Sequence, residues 1–148
     1  MCGYKPLALC YLSAKASNVV SICCQNQTFE NIQAIIFDKD GTLANVESYL
    51  KSLGQKRARL VDAQVPGVQE PLLMAFGVEA SHINPMGLMA VGSRHESEIA
   101  AAAYVAETGQ EWVAALKIAD SAFTEAAGYL EPKANHTPLF PGIKDWLF

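Results

Sequence analysis

The stretch Ile35-Ile36-Phe37-Asp38-Lys39-Asp40-Gly41-Thr42-Leu43 constrains this chain more than any other. Three large apolar residues stop abruptly in two aspartates spaced i and i+2, followed by a glycine and a threonine. An apolar run that ends in turn chemistry reads as a buried strand. Because Ile35, Ile36 and Phe37 are apolar on both faces, the expected position is the centre of a parallel sheet rather than an edge. Open α/β sheets bind ligands beyond the carboxyl ends of their strands, which is where the two carboxylates fall. The expected fold class is therefore α/β.

The rest of the composition is compatible with one packed domain. The chain has 148 residues, 51% hydrophobic and 18% charged, outside the range of disordered chains. A net charge of -4, with no stripe of Lys and Arg, argues against a nucleic-acid surface. Lys51, Lys56, Arg57 and Arg59 form the only basic cluster, and the expectation for such a run is a solvated helix face. The four cysteines, Cys2, Cys10, Cys23 and Cys24, make no C-x-x-C pair, and Cys23 and Cys24 alternate across a strand. They are expected to be reduced thiols in a cytoplasmic protein. No apolar run approaches the ~20 residues of a membrane span.

Taken in order, residues 1–18 form an extension expected to be poorly ordered. Lys5 and the apolar run 7–12 make only a faint signal-peptide pattern, interrupted by Pro6. Residues 19–24 have strand composition, and Gln25-Asn26-Gln27 reads as a turn, so a hairpin leads into the central strand. After Thr42 the pattern becomes helical, with Asn45 as N-cap and Val46, Tyr49, Leu50, Leu53, Leu60 and Val61 at helical spacing. Pro66-Gly67 ends that segment, a short helix is expected over 69–76 closed by Gly77, and 78–92 reads as loop. Ser93-Arg94-His95-Glu96 and Thr108-Gly109-Gln110-Glu111 both have capping-box spacing, predicting two Ala-rich helices. In the second, Trp112, Leu116, Ala119 and Phe123 share one face that ends at Gly128. Residues 138–142 read as linker and 143–148 as the start of an amphipathic helix.

Two carboxylates in this position suit phosphoryl transfer. Asp38 can attack phosphorus to give an aspartyl-phosphate, and Asp40 can protonate the leaving oxygen and then deprotonate water. Mg²⁺, which takes hard oxygen ligands, would offset repulsion between carboxylate and phosphate. Gly41 permits a sharp turn with amides towards phosphate, and Thr42 supplies a hydroxyl for phosphate or for the turn itself.

Asp38-Lys39-Asp40-Gly41-Thr42-Leu43, behind its apolar run, resembles the first motif of the haloacid dehalogenase-like hydrolase superfamily, Asp-x-Asp-Gly-Thr. A chance match to four such residues arises about once in 10⁵ positions. The resemblance implies a partial Rossmann-like core, first strand and leading hairpin, over 19–44, and an α-helical cap over 45–137. It implies a return to the core over 138–148, similar to phosphoglycolate-phosphatase-like members. It also implies that Asp38 is nucleophile and Mg²⁺ ligand, and that Asp40 is acid/base and binds the metal through its backbone carbonyl. Ion-pumping ATPases of the superfamily have threonine where Asp40 stands, so Asp40 points to a phosphatase of a small phosphorylated metabolite. A phosphomutase would share every residue visible here.

The superfamily's later motifs, a Ser/Thr, a Lys and a further acidic pair, have no counterpart before Phe148. The expectation is the N-terminal part of such a protein, weak or inactive in isolation. A non-catalytic remnant or cap-mediated binding module is the alternative. Arg94, at the start of a cap helix, is a candidate contact for an anionic substrate group. His82, His95 and His136 are too scattered for a helix-borne metal motif. Lys39 could attract phosphate electrostatically, but an outward-facing middle residue needs no special role.

Overall fold

The computed structural model describes residues 11–14, 20–24 and 26–147. Its content is mixed α and β, in two compact units, 1–37 and 38–148.

The first unit holds a three-stranded antiparallel sheet in the order β1 (Tyr11–Ala14), β2 (Val20–Cys24), β3 (Gln27–Ile32). The hairpin expected from composition forms, with Cys24 opposite Gln27 and Ile22 opposite Phe29. The register shifts between Val20 and Ile22, and Asn31 opposite this irregularity adopts φ 59°. Asparagine tolerates that left-handed region better than most residues. Of the extension expected over 1–18, only β1 lies within the described residues, and it is a strand. The rest of that expectation, with the faint signal-peptide pattern, lies outside them.

The central parallel strand does not form. Residues 33–39 carry no strand, and Ile36 is 96% exposed, Ile35 42% and Phe37 37%. A parallel strand needs a neighbour delivered by a crossover connection. Among the described residues every strand pairing is antiparallel, so no such neighbour receives this run.

The second unit is helical: α1 (Glu47–Gln64), α2 (Gln69–Phe76), α3 (Leu88–Val91), α4 (Arg94–Glu107), α5 (Trp112–Gly128), a 3-10 helix (Lys133–His136) and α6 (Ile143–Leu147). Helix α2 has its expected bounds and ends on Gly77 at φ 71°. A side chain at Gly77 would meet the Gly87 backbone, so glycine is required by both conformation and space. The loop expected over 78–92 contains the single turn α3. The Asn45 side chain accepts from Glu47 N–H at 3.0 Å, although the cap position itself is Val46. Asp62 Oδ1 accepts from the amides of Gly67 and Gln69, tying the end of α1 to the start of α2.

The Ser93 capping box forms on both sides: Glu96 N–H donates to Ser93 Oγ and Ser93 N–H to Glu96 Oε2. The second box does not. Thr108 instead closes α4, its hydroxyl donating to the Val105 carbonyl, and α5 begins after Glu111 without a side-chain cap. A threonine one residue beyond a helix can serve the carbonyls behind it rather than the amides ahead.

The core gathers Leu53, Val61, Leu72, Phe76, Val105 and Phe123. Phe76 and Phe123 meet edge to face with centroids 6.1 Å apart. Ala115, Ala119, Ala122 and Ala126, at i, i+4, i+7 and i+11, are fully buried along α5 and permit close approach. Trp112, expected on that face, is 45% exposed because α5 has only begun there.

The basic cluster is not a solvated face. Arg57 is 6% exposed, and its guanidinium lies 4.3 Å from the centre of the Phe123 ring. Its NH1 donates to Met89 Sδ at 3.5 Å, while its buried Nε has no hydrogen-bond partner among the described residues. Burial first, then the nearby Arg94 charge, lowers its pKa to about 10. Lys51 donates to the Ala80 carbonyl and Lys56 lies over the Tyr129 ring, which leaves Arg59 as the exposed member. Helical spacing places Arg57 beside Leu53 and Val61 on the inward stripe, and a long stem on that stripe packs whatever its head group.

Candidate active site

The motif loop closes on itself. The Lys39 carbonyl accepts from the amides of Thr42, Leu43 and Ala44, and Gly41 N–H donates to the Ala44 carbonyl at 2.9 Å. Gly41 sits at φ 84°, open only to a residue without Cβ at little strain. The Gly41 amide, expected to face phosphate, is thus used inside the turn. The return segment fastens the loop: Asn45 N–H donates to the Pro138 carbonyl and Phe140 N–H to the Leu43 carbonyl, with Ala44 bridged to Leu139. Leu139 and Phe140 therefore meet the motif loop although 95 or more positions separate them from it in sequence.

The two aspartates are held by different partners. Thr42 Oγ1 donates to Asp38 Oδ2 at 3.0 Å. Asp40 Oδ2 accepts from Lys133 Nζ at 2.6 Å, and Asp40 Oδ1 pairs with Lys39 Nζ at 2.6 Å. The Lys133 hydrogen bond, then that of Lys39, holds the Asp40 carboxyl below its ordinary value. In return Asp40 raises the pKa of Lys133. Lys39, expected to have no role, neutralises its neighbour.

Lys133 could not be found from the sequence. It lies 93 positions from Asp40, in Pro132-Lys133-Ala134-Asn135, which carries no motif. Its place is set by the 3-10 helix, closed by Thr137 Oγ1 donating to the Lys133 carbonyl at 3.2 Å, with Thr137 buried. The ammonium also lies 5.1 Å from the centre of the Tyr49 ring in α1. Lys39 and Lys133 line a cavity of about 520 Å³ with Ala44, Ala134, Thr137, Pro138 and Leu139. Its walls are mostly apolar and its charged lining is cationic.

The donor set suits Mg²⁺ in part. Asp38 supplies a carboxylate, and the Asp40 backbone bridge to Ala44 uses the Lys39 carbonyl and Gly41 amide, not Asp40's own carbonyl. Mg²⁺ takes one or two protein oxygens beside water and phosphate. Among the described residues no group of three or more His, Cys, Asp or Glu is placed to hold a metal.

Arg94 is engaged elsewhere: its Nε donates to Glu98 Oε1 at 2.5 Å, and its NH2 donates to Thr124 Oγ1 and lies 3.6 Å from Asp120. His82 pairs with Glu79 at 3.2 Å. Among the described residues no helix is long and apolar enough to cross a membrane. No protein-family model, curated protein or solved structure matches the chain.

Proposed function

We propose that this chain carries the motif loop and helical cap of a haloacid dehalogenase-like phosphatase, acting with Mg²⁺ on a small phosphate monoester. The observation that carries the reading is the pair of carboxylates on one closed turn, Asp38 held by Thr42 and Asp40 by Lys133. A solvated acidic turn needs neither partner.

Asp38 would attack phosphorus, and the bond from phosphorus to the ester oxygen would break. Asp40 would deliver a proton to that oxygen. Water would then attack the aspartyl-phosphate while Asp40 takes its proton, releasing phosphate and restoring both carboxyl groups. Mg²⁺ would be held by Asp38 and the Asp40 carbonyl, and there it would supply charge neutralisation at the phosphoryl oxygens. A helical cap over 45–137 would shelter the reaction from water.

The test uses beryllofluoride, which mimics a phosphoryl group on an aspartate. With Mg²⁺ present, a bound ¹⁹F resonance is expected from the wild type and not from Asp38→Asn. A wild-type chain that gives no such resonance sinks the reading. One observation favours a non-catalytic phosphate-binding module instead: Asp40 is kept ionised by two lysines, a poor starting state for a proton donor. A beryllofluoride signal without turnover of any phosphate ester would select that module.

A further inference from the structure

We infer that Lys133 is the positioning residue of this site, aiming the Asp40 carboxylate by a bond from outside the motif. The inference rests on the phosphatase reading above for its catalytic consequence, but not for the contact itself.

Asp40 stands on an exposed turn whose backbone hydrogen bonds fix the chain and not the side chain. Lys39 is adjacent in sequence and 54% exposed at its side chain, so it follows Asp40 wherever that residue points. Lys133 is different. Its backbone is held in the 3-10 helix by the buried Thr137, and its ammonium is set between the Asp40 carboxylate and the Tyr49 ring. The return segment fixes the distance, because Pro138 and Phe140 are hydrogen-bonded to residues 43–45 immediately after the motif. Asp40 is thereby referred to a frame made of α1, the 3-10 helix and the return segment. A proton-transfer group must be placed within hydrogen-bond reach of the reacting oxygen, and misplacement by about 1 Å costs ~10²-fold.

Two measurements on the full chain test this. The first needs no activity: acetylation of lysines by N-hydroxysuccinimidyl acetate, read by peptide mass spectrometry. Lys133 is expected to react several-fold more slowly than the exposed Lys117. Asp40→Asn should abolish that protection, and Asp38→Asn should leave it. Equal rates in the wild type, or protection that survives Asp40→Asn, overturn the contact.

The second compares kcat/KM for an alkyl phosphate with that for p-nitrophenyl phosphate. The nitrophenolate leaves without needing a proton, so it reports everything except the aim of Asp40. Read at the optimum of each variant's own pH profile, which takes out the change in Asp40 protonation, Lys133→Met should lower kcat/KM on the alkyl ester by ~10²-fold and on the aryl ester by less than about threefold. Lys133→Arg should recover most of the alkyl-ester rate, since it restores a cation of similar reach. Equal losses on both esters, with circular dichroism unchanged, would mark a merely structural residue and overturn the inference. The phosphatase reading stands or falls on the beryllofluoride resonance, and where the wild-type chain turns over neither ester the acetylation result decides the contact alone.

Discussion

Arg57 and Lys133 are both cations set against an aromatic ring, one in the helical core and one at the motif loop. Arg57 is 6% exposed, stacked on Phe123, and among the described residues faces no carboxylate within salt-bridge distance. Lys133 keeps a 39% exposed side chain, lies against Tyr49, and is bound to Asp40. The guanidinium is planar and weakly hydrated, so a ring and a sulfur can accompany it into the interior, whereas an ammonium is strongly hydrated. The core cation therefore serves packing at an electrostatic cost. The loop cation orders a carboxylate while contributing little to stability. Location, not charge, separates the two roles.

The largest expected effect comes from removing the ring under Arg57. Phe123→Ala should cost about 3–5 kcal/mol in urea unfolding, because it opens a cavity and strips the guanidinium of its π face. A loss below about 1 kcal/mol would mean that the core is not organised around Phe123.

Substitution at Arg57 sharpens the contrast through its sign. Arg57→Ala should destabilise by about 2–3 kcal/mol through lost stem packing. Arg57→Met keeps the stem and removes the buried charge with its unpartnered Nε. It should be neutral or stabilising, as replacement of buried charged groups by apolar ones often is. If Met is as damaging as Ala, the charge itself is required and the comparison fails.

At the loop the effects are smaller. A double-mutant cycle of Asp40→Asn with Lys133→Met should give a coupling of about 0.5–1 kcal/mol, the range for partly exposed pairs, and 1 M salt should reduce it. A coupling above about 3 kcal/mol would make Lys133 a structural cation like Arg57.

The pH dependence follows from the same pair. Asp40 is depressed by the Lys133 and Lys39 hydrogen bonds, so its contribution is complete above its ordinary value of 3.8. That contribution fades as pH falls through the lowered value. Lys133 is raised by Asp40, so its contribution is complete below its ordinary value of 10.5 and fades as pH rises through the raised one. The cycle should give a flat coupling between those limits, and any slope near neutral pH would implicate another group.

The sequence alone determined what local chemistry can determine. The Ser93 box, the Gly77 stop, the hairpin over 20–32 and the tight turn at Gly41 each depend on residues within a few positions of one another. The Thr42 hydroxyl is equally local, four positions from the Asp38 it meets, but spacing alone leaves it open between phosphate and the turn. Only the tertiary structure decided the rest. Whether residues 35–37 become a strand depends on neighbours that no local pattern can promise, and here the run stays outside every strand. Whether Arg57 faces water depends on which stripe of α1 is covered, and Phe123 and Met89, which cover it, are 66 and 32 positions away. The partner of Asp40 is 93 positions distant, brought in by the return of the chain to residues 43–45. Spacing can nominate two carboxylates, but a hydrogen bond between distant segments exists only once the intervening helices have packed.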